Sequence, residues 1–185
     1  MMELSRLTDD RSELFARAMA LYGNSFPVHE QREPASQRRC MALPDYHFDL
    51  IGDEDRWAGE ILYWETEDFL YVEHFCTVPE VRGQGCGRRA LDCLFRKGKT
   101  VILEIDPPED ALSVRRKGFY ERAGFAVNRF AHVHPPYHAG YAGHALVVLS
   151  WPQALTEQDY RRFDAYLRGR VMHHCFAADA VNGGK

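Results

Sequence analysis

The sequence predicts one α+β domain: a mixed sheet with helices on both faces, in αβα layers. Three observations carry that prediction. Segments rich in β-branched and aromatic residues come first, strands then alternate with helical patterns, and a last strand pair and helix close the chain. No internal repeat, low-complexity run or Pro/Gly/Ser linker divides it. Its 185 residues, 45% hydrophobic and 27% charged, suit a single core of ordinary size. The domain is expected over residues 1–176, followed by a disordered tail at 177–185 with nothing to bury.

The elements follow in order. Leu14, Phe15, Ala18, Leu21 and Tyr22 recur at helical spacing, with capping residues from Asp9 to Ser12 in front and Gly23 as the expected stop. Phe26 to Gln37 carries Pro27, Pro34 and a cluster of charges, a loop leading into a second short helix. Tyr46 to Ile51 and Trp57 to Trp64 form a hairpin around Gly-Asp-Glu-Asp, and Phe69 to Thr77 is a third strand. Val81 to Gly87 then holds three glycines, and from Arg88 onward Ala90, Leu91, Leu94 and Phe95 share one helical face. Thr100 to Ile105 reads as a buried strand ended by Pro107-Pro108, and Asp110 to Ala123 as a helix closed by Gly124. Phe125 to Phe130 and Ala145 to Ser150 are the last strands, on either side of a His/Pro/Tyr/Gly loop. Thr156 caps a final helix with Phe163, Tyr166 and Leu167 inward.

Composition excludes several classes. Lys+Arg 23 against Asp+Glu 27 gives a formal net charge of -4, which argues against a nucleic-acid partner. The longest aliphatic run, Ala145 to Leu149, is far too short to span a bilayer, so no membrane partner is expected. Met1 to Arg11 has no apolar core of the secretory type. Cys40, Cys76, Cys86, Cys93 and Cys175 are odd in number and lack framework spacing, which predicts free thiols in a reducing, cytoplasmic setting.

The segment Val-Pro-Glu-Val-Arg-Gly-Gln-Gly-Cys-Gly-Arg-Arg, residues 78–89, lies between a strand and a helix. Gly83, Gly85 and Gly87 alternate, so the backbone can take positive φ and a ligand can approach without a Cβ in its way. Backbone N–H groups then converge at a helix N-terminus, where unsatisfied donors and the helix dipole favour an anion, best a phosphate. Arg82, Arg88 and Arg89 concentrate positive charge there. A nucleoside-triphosphate loop would end in Gly-Lys-Ser/Thr, and a dinucleotide fingerprint would read Gly-x-Gly-x-x-Gly early in a βαβ unit; neither is present.

Arg82-Gly-Gln-Gly-Cys-Gly87 matches the Arg/Gln-x-x-Gly-x-Gly/Ala signature of the GNAT superfamily of N-acetyltransferases, and the chain resembles that family on both sides of the loop. Phe69 to Glu80 is similar to the strand that precedes the family's loop. Phe119-Tyr-Glu-Arg-Ala-Gly-Phe125 is similar to its second signature, which closes a helix. Phe26 onward, Leu103 to Asp110 and Pro135-Pro-Tyr137 resemble a subgroup of small bacterial members. The likeness runs through residues 10–170.

The resemblance implies a mostly antiparallel sheet splayed at an acetyl-CoA site, and direct acetyl transfer to a primary amine of a small molecule or peptide by a monomer or homodimer. A non-catalytic acyl-CoA sensor on the same fold is the alternative. Carried over by position, Phe75, Cys76 and Thr77 would meet the acetyl and pantetheine portions. Arg82, Gly83, Gln84, Gly85, Cys86 and Gly87 would hold the pyrophosphate, with Arg88 nearby. Ser113 stands where family members often have Asn, and can bond the pantetheine arm or a helix terminus. Tyr120 takes the place of the family's acid. For the base, Glu73, read as in phase with Phe75 and Thr77, serves either as base or as ammonium anchor, with Glu104 on the next strand as the other candidate; either carboxylate can instead pair with Arg115 or Arg116.

No metal is expected. His132, His134, His138 and His144 cluster in sequence, but no Cys or acidic residue stands at ligand spacing among them, so they are expected to line a pocket or face solvent. Cys76 and Cys86 lack a His/Asp partner in sequence, which argues against a covalent acyl-enzyme.

Overall fold

A computed structural model describes residues 2–53 and 56–175; the expected tail at 177–185 lies outside the described residues. The elements are β1 (Met2–Arg6), α1 (Glu13–Ser25), a 3-10 turn at Val28–Glu30, α2 (Pro34–Met41), β2 (Tyr46–Asp53), β3 (Arg56–Glu65) and β4 (Phe69–Thr77). They continue with α3 (Cys86–Phe95), β5 (Thr100–Ile105), α4 (Ala111–Arg122), β6 (Ala126–Val127), β7 (His132–His134), β8 (His144–Trp151) and α5 (Glu157–Tyr166), which runs on as a wider π-helical turn at Leu167–Val171 and a 3-10 turn at Met172–His174.

The eight-stranded sheet runs β1-β2-β3-β4-β5-β8-β6, with β7 also on β8. Every described pairing is antiparallel except β4 with β5. Alternating side chains bury each face against a helix layer. On one face Phe48, Leu62, Trp64 and Tyr71 pack with Ala18 and Tyr22 of α1, Cys40 of α2 and Phe163 of α5. On the other, Ile61, Tyr63, Val72 and Leu103 pack with Ala90, Leu91 and Leu94 of α3 and Tyr120 of α4. The αβα reading therefore holds.

Local chemistry explains the boundaries, including those the sequence misplaces. Ser12 caps α1 by accepting from Phe15 N, but Gly23 does not end the helix, which runs on to Ser25. A helical glycine costs only about 1 kcal/mol relative to alanine, less than burial of Tyr22 and Ala18 returns. Asp110 and Ser113 form a reciprocal capping box on α4, and Thr156 and Asp159 form another on α5. The edge strand β1 went unpredicted because only Met2 of its five residues is buried, leaving no alternation to see. The strand expected over 125–130 shrinks to β6; just past it Asn128 N still donates to Val148 O (2.9 Å), while its side chain donates to Ser150 Oγ (3.0 Å) and accepts from Leu155 N (2.8 Å).

Two irregularities position the site. Pairing of β4 with β5 stops at Val72↔Leu103; beyond it β4 stays with β3 and β5 with β8, so the two strands part. Opposite, β3 skips from Leu62↔His74 to Tyr63↔Val72, leaving Glu73 as the extra residue of a bulge. The bulge overturns the expected phase. Glu73 and His74 both turn to the α1 face, toward Trp64 and Tyr22, while Phe75 goes to the α3 face beside Gly87 and is out of register with Glu73.

Candidate functional site

Between the parted strands opens a cleft of about 920 Å³, walled by β4 from Tyr71 to Thr77, β5 from Leu103 to Ile105, the glycine loop and α4. At its floor Gly85 is the N-cap of α3 with φ 78° and ψ 0°, and no side chain caps the helix. At a helix N-terminus of this kind the first-turn N–H groups point along the axis toward an incoming anion. Gly83 also has φ 78°, and a Cβ built on either glycine meets nothing within 4 Å. Both glycines therefore border open space, as a phosphate cradle requires. At Gly87 a Cβ would instead lie 3.3 Å from the Phe119 ring, so small size there serves the packing of α3 on α4.

The charges around the loop are partly committed. Arg82 Nε and Nη2 both donate to Thr77 O at 3.3 Å. Arg88 holds Asp92 (2.9 Å) and Arg122 O (3.2 Å) at the cleft edge. Gln84 donates to Glu80 O (2.7 Å), so its contribution to the loop is structural in this conformation. Cys86 is buried in the first turn of α3. Along β4, Val78 N donates to Ala58 O (3.0 Å). Strand alternation then turns the Thr77 and Phe75 N–H groups away from β3 and into the gap.

Ser113 does not line the cleft. Its hydroxyl accepts from Asp110 N (3.1 Å) and donates to Asp110 O (3.0 Å), so its place is the helix terminus rather than the pantetheine arm. Tyr120 does line it, and burial pushes its phenol up to about 12. Burial likewise pushes the Cys76 thiol up to about 12, which leaves little thiolate for covalent chemistry.

Glu73 sits in a closed polar cluster. Its side chain and that of Arg32 are both 0% exposed, with Arg32 Nη2 at 2.7 Å from Oε1. Trp64 Nε1 donates to Oε2 (2.9 Å) and the Tyr137 hydroxyl to Oε1 (3.0 Å). Burial opposes the charge, but Arg32, His74 and the Trp64 hydrogen bond together outweigh it and hold the carboxyl below the usual carboxylate range. Arg32 is held in turn by Val171 O (2.9 Å) and Ser36 Oγ (3.2 Å). The ion-pair partner of Glu73 is therefore Arg32, not Arg115 or Arg116. Removing one member of such a pair strands a buried charge, so Arg32→Ala is expected to lose about 3–5 kcal/mol of stability. Chemical denaturation checks it, and wild-type stability would contradict the pairing.

Glu104, like Glu73, lines the cleft but has different partners: the Tyr71 hydroxyl donates to Oε2 (2.5 Å), His132 Nε2 is bonded to Oε1, and His134 Nε2 lies 3.8 Å from Oε2. Burial opposes its charge, but His134, the His132 hydrogen bond and the Tyr71 hydroxyl together hold the carboxyl below its usual range. Two of the four expected histidines, His134 and His144, line the cleft, His132 stands behind Glu104, and His138 bonds Val28 O (2.8 Å) at the exposed edge. No group of three or more His, Cys, Asp or Glu able to hold a metal occurs among the described residues. Sequence reasoning missed Arg32 and Tyr71: Arg32 sat in an ordinary charge cluster, and Tyr71 lay unmarked within a strand.

Comparison with known proteins agrees with this geometry. The sequence profile of the acetyltransferase (GNAT) family matches residues 12–125. A protein named "Putative acetyltransferase YjbC", from Bacillus subtilis (strain 168), is 26% identical over 102 residues. That match covers 54% of this chain and 52% of YjbC, so the chain spans about half the length of this curated relative. A solved structure from Bacteroides thetaiotaomicron, named "Putative acetyltransferase from GNAT family", superposes with a TM-score of 0.86 at 29% identity, covering 92% of this chain and 98% of that one. Arabidopsis thaliana Naa50 in complex with the bisubstrate analogue CoA-Ac-MVNAL superposes with a TM-score of 0.57 at 16% identity, over 80% of this chain and 97% of its own, a likeness of fold. With the strand-parting cleft, the uncapped glycine loop and the family match in agreement, the chain belongs to the acetyltransferase (GNAT) family.

Proposed function

We propose that the chain is an acetyl-CoA-dependent N-acetyltransferase that moves an acetyl group directly to a primary amine of a small molecule or peptide. The observation that carries this reading is the parting of β4 from β5 beside the uncapped N-terminus of α3. The N–H groups from Gly83 to Arg88 suit the pyrophosphate of coenzyme A. The Phe75 and Thr77 N–H groups turned into the gap suit the amides of the pantetheine arm, which lies there like an added strand, with Cys76 between them. When bound, acetyl-CoA supplies the activated acyl group, and the protein's own residues move the protons. Tyr120 keeps its proton at neutral pH and donates from the phenol to the departing sulfur. Glu104 is the ionised carboxylate on the cleft wall and takes the proton of the acceptor ammonium.

Thiol release from acetyl-CoA, measured with a polyamine, an aminoglycoside and peptides with free N-termini, tests the reading. Turnover of at least one amine is expected. Saturable coenzyme A binding without turnover of any of them would instead mark a non-catalytic acyl-CoA-binding module.

A further inference from the structure

Behind Glu104, on the side away from the cleft, a chain of polar groups runs to α5. Glu104 Oε1 bonds His132 Nε2, and His132 Nδ1 lies 3.0 Å from the Tyr160 hydroxyl and 3.9 Å from Asp164 Oδ1. The His132 side chain is 0% exposed and packs against the Phe163 ring at 5.9 Å. An imidazole in such surroundings is costly unless its nitrogens are engaged, and here each faces a named polar group. Asp164 Oδ1 is buried without a hydrogen bond, whereas Oδ2 accepts from Arg168 Nε (2.9 Å).

The consequence falls on Glu104. His132 occupies one carboxylate oxygen and Tyr71 donates to the other, so rotation of the carboxylate is blocked. Each oxygen can accept twice, so the held carboxylate keeps capacity for a further donor, and Glu104 lines the cleft beside Tyr71 and His134. Tyr160 has a structural role of its own, its ring stacked on Phe130 at 4.0 Å, but that contact does not use the hydroxyl.

We propose that His132 is a positioning residue for acetyl transfer: it aims the Glu104 carboxylate at the acceptor amine, and Tyr160 and Asp164 on α5 fix the ring that does so. The inference rests on the acetyl-transfer reading, with Glu104 as proton acceptor. Only protons and hydrogen bonds are involved. The amine N–H bond breaks as a Glu104 O–H bond forms, and His132 keeps its contact throughout.

The test compares His132→Leu, His132→Gln, Tyr160→Phe and Glu104→Gln, using acetyl-CoA and the best-turned-over amine of the panel above. His132→Leu is expected to lower kcat by about tenfold or more with KM for acetyl-CoA unchanged. It should also move the acid limb of the pH profile to higher pH, because Glu104 loses a donor to its charged form. The other groups facing Glu104, namely Tyr71, His134 and the more distant His144, are unaltered in every variant. His132→Gln keeps an N–H donor and should recover part of the loss. Tyr160→Phe keeps the Phe130 stacking and should shift kcat and the limb the same way by less, which covers the case in which His132→Leu does not fold. A fall in kcat with an unmoved acid limb, no recovery by Gln and a silent Tyr160→Phe would reduce His132 to packing and overturn the proposal. Full turnover by Glu104→Gln would instead remove the underlying assignment of the proton acceptor.

Discussion

Tyr120→Phe is expected to lower turnover by about 10²-fold or more while leaving the affinity for coenzyme A within about twofold. The phenol lines the cleft between α4 and the parted strands, and no hydrogen bond to its hydroxyl occurs among the described residues. It is therefore available to the sulfur that departs when the acetyl group leaves. Its ring is fixed by edge contacts with Phe119 (5.0 Å) and Phe125 (5.5 Å), which phenylalanine retains. The substitution thus removes a proton donor and little else, and binding should survive it. Steady-state kinetics beside calorimetric titration with coenzyme A separate the two effects. Unchanged turnover would strip Tyr120 of its role.

The second large effect is expected at the glycine loop. Gly85→Val should weaken coenzyme A binding by about 100-fold or more. The backbone there is left-handed, a conformation that costs an ordinary L-residue roughly 1–2 kcal/mol and a β-branched residue more. The added side chain would also project into the space where a built Cβ meets no protein atom, the space proposed for the pyrophosphate. Strain and obstruction add, whereas the core against α3 is untouched, so the thermal midpoint should fall only slightly. Retained affinity would mean that the loop does not hold the diphosphate.

What could be read in the sequence follows from the range of the interactions involved. Caps, turns and the loop are local: Ser12, Thr156, the Asp110 terminus and the alternating glycines all lie where their neighbours in sequence place them. The family signature is local too, which is why a mostly antiparallel sheet, splayed beside the glycine loop, could be anticipated from two short motifs. The surroundings of Glu73 were not legible. They depend on one bulge, set by the pairing of β3 with β4, and on Arg32, which reaches Glu73 from a segment that β4 meets only in the folded chain. Regular alternation put Glu73 beside Phe75, and the bulge separated them. Ser113 shows the same limit on a smaller scale: its number in the sequence matched a cofactor-contacting position, and its hydrogen bonds put it in a capping box. The histidines of β7 were visible as a pattern, but their partners Tyr160 and Asp164 lie on α5, beyond the reach of any spacing rule.

The central claim is that acetyl transfer takes place where β4 and β5 part, with Tyr120 and Glu104 as the proton donor and acceptor. A crystal structure with coenzyme A bound tests it most directly. The pyrophosphate is expected on the N–H groups from Gly83 to Arg88, the pantetheine amides on Phe75 and Thr77, and the thiol within hydrogen-bond reach of the Tyr120 hydroxyl, with Glu104 facing it across the cleft. Coenzyme A bound elsewhere, or a thiol directed away from both Tyr120 and Glu104, would contradict it.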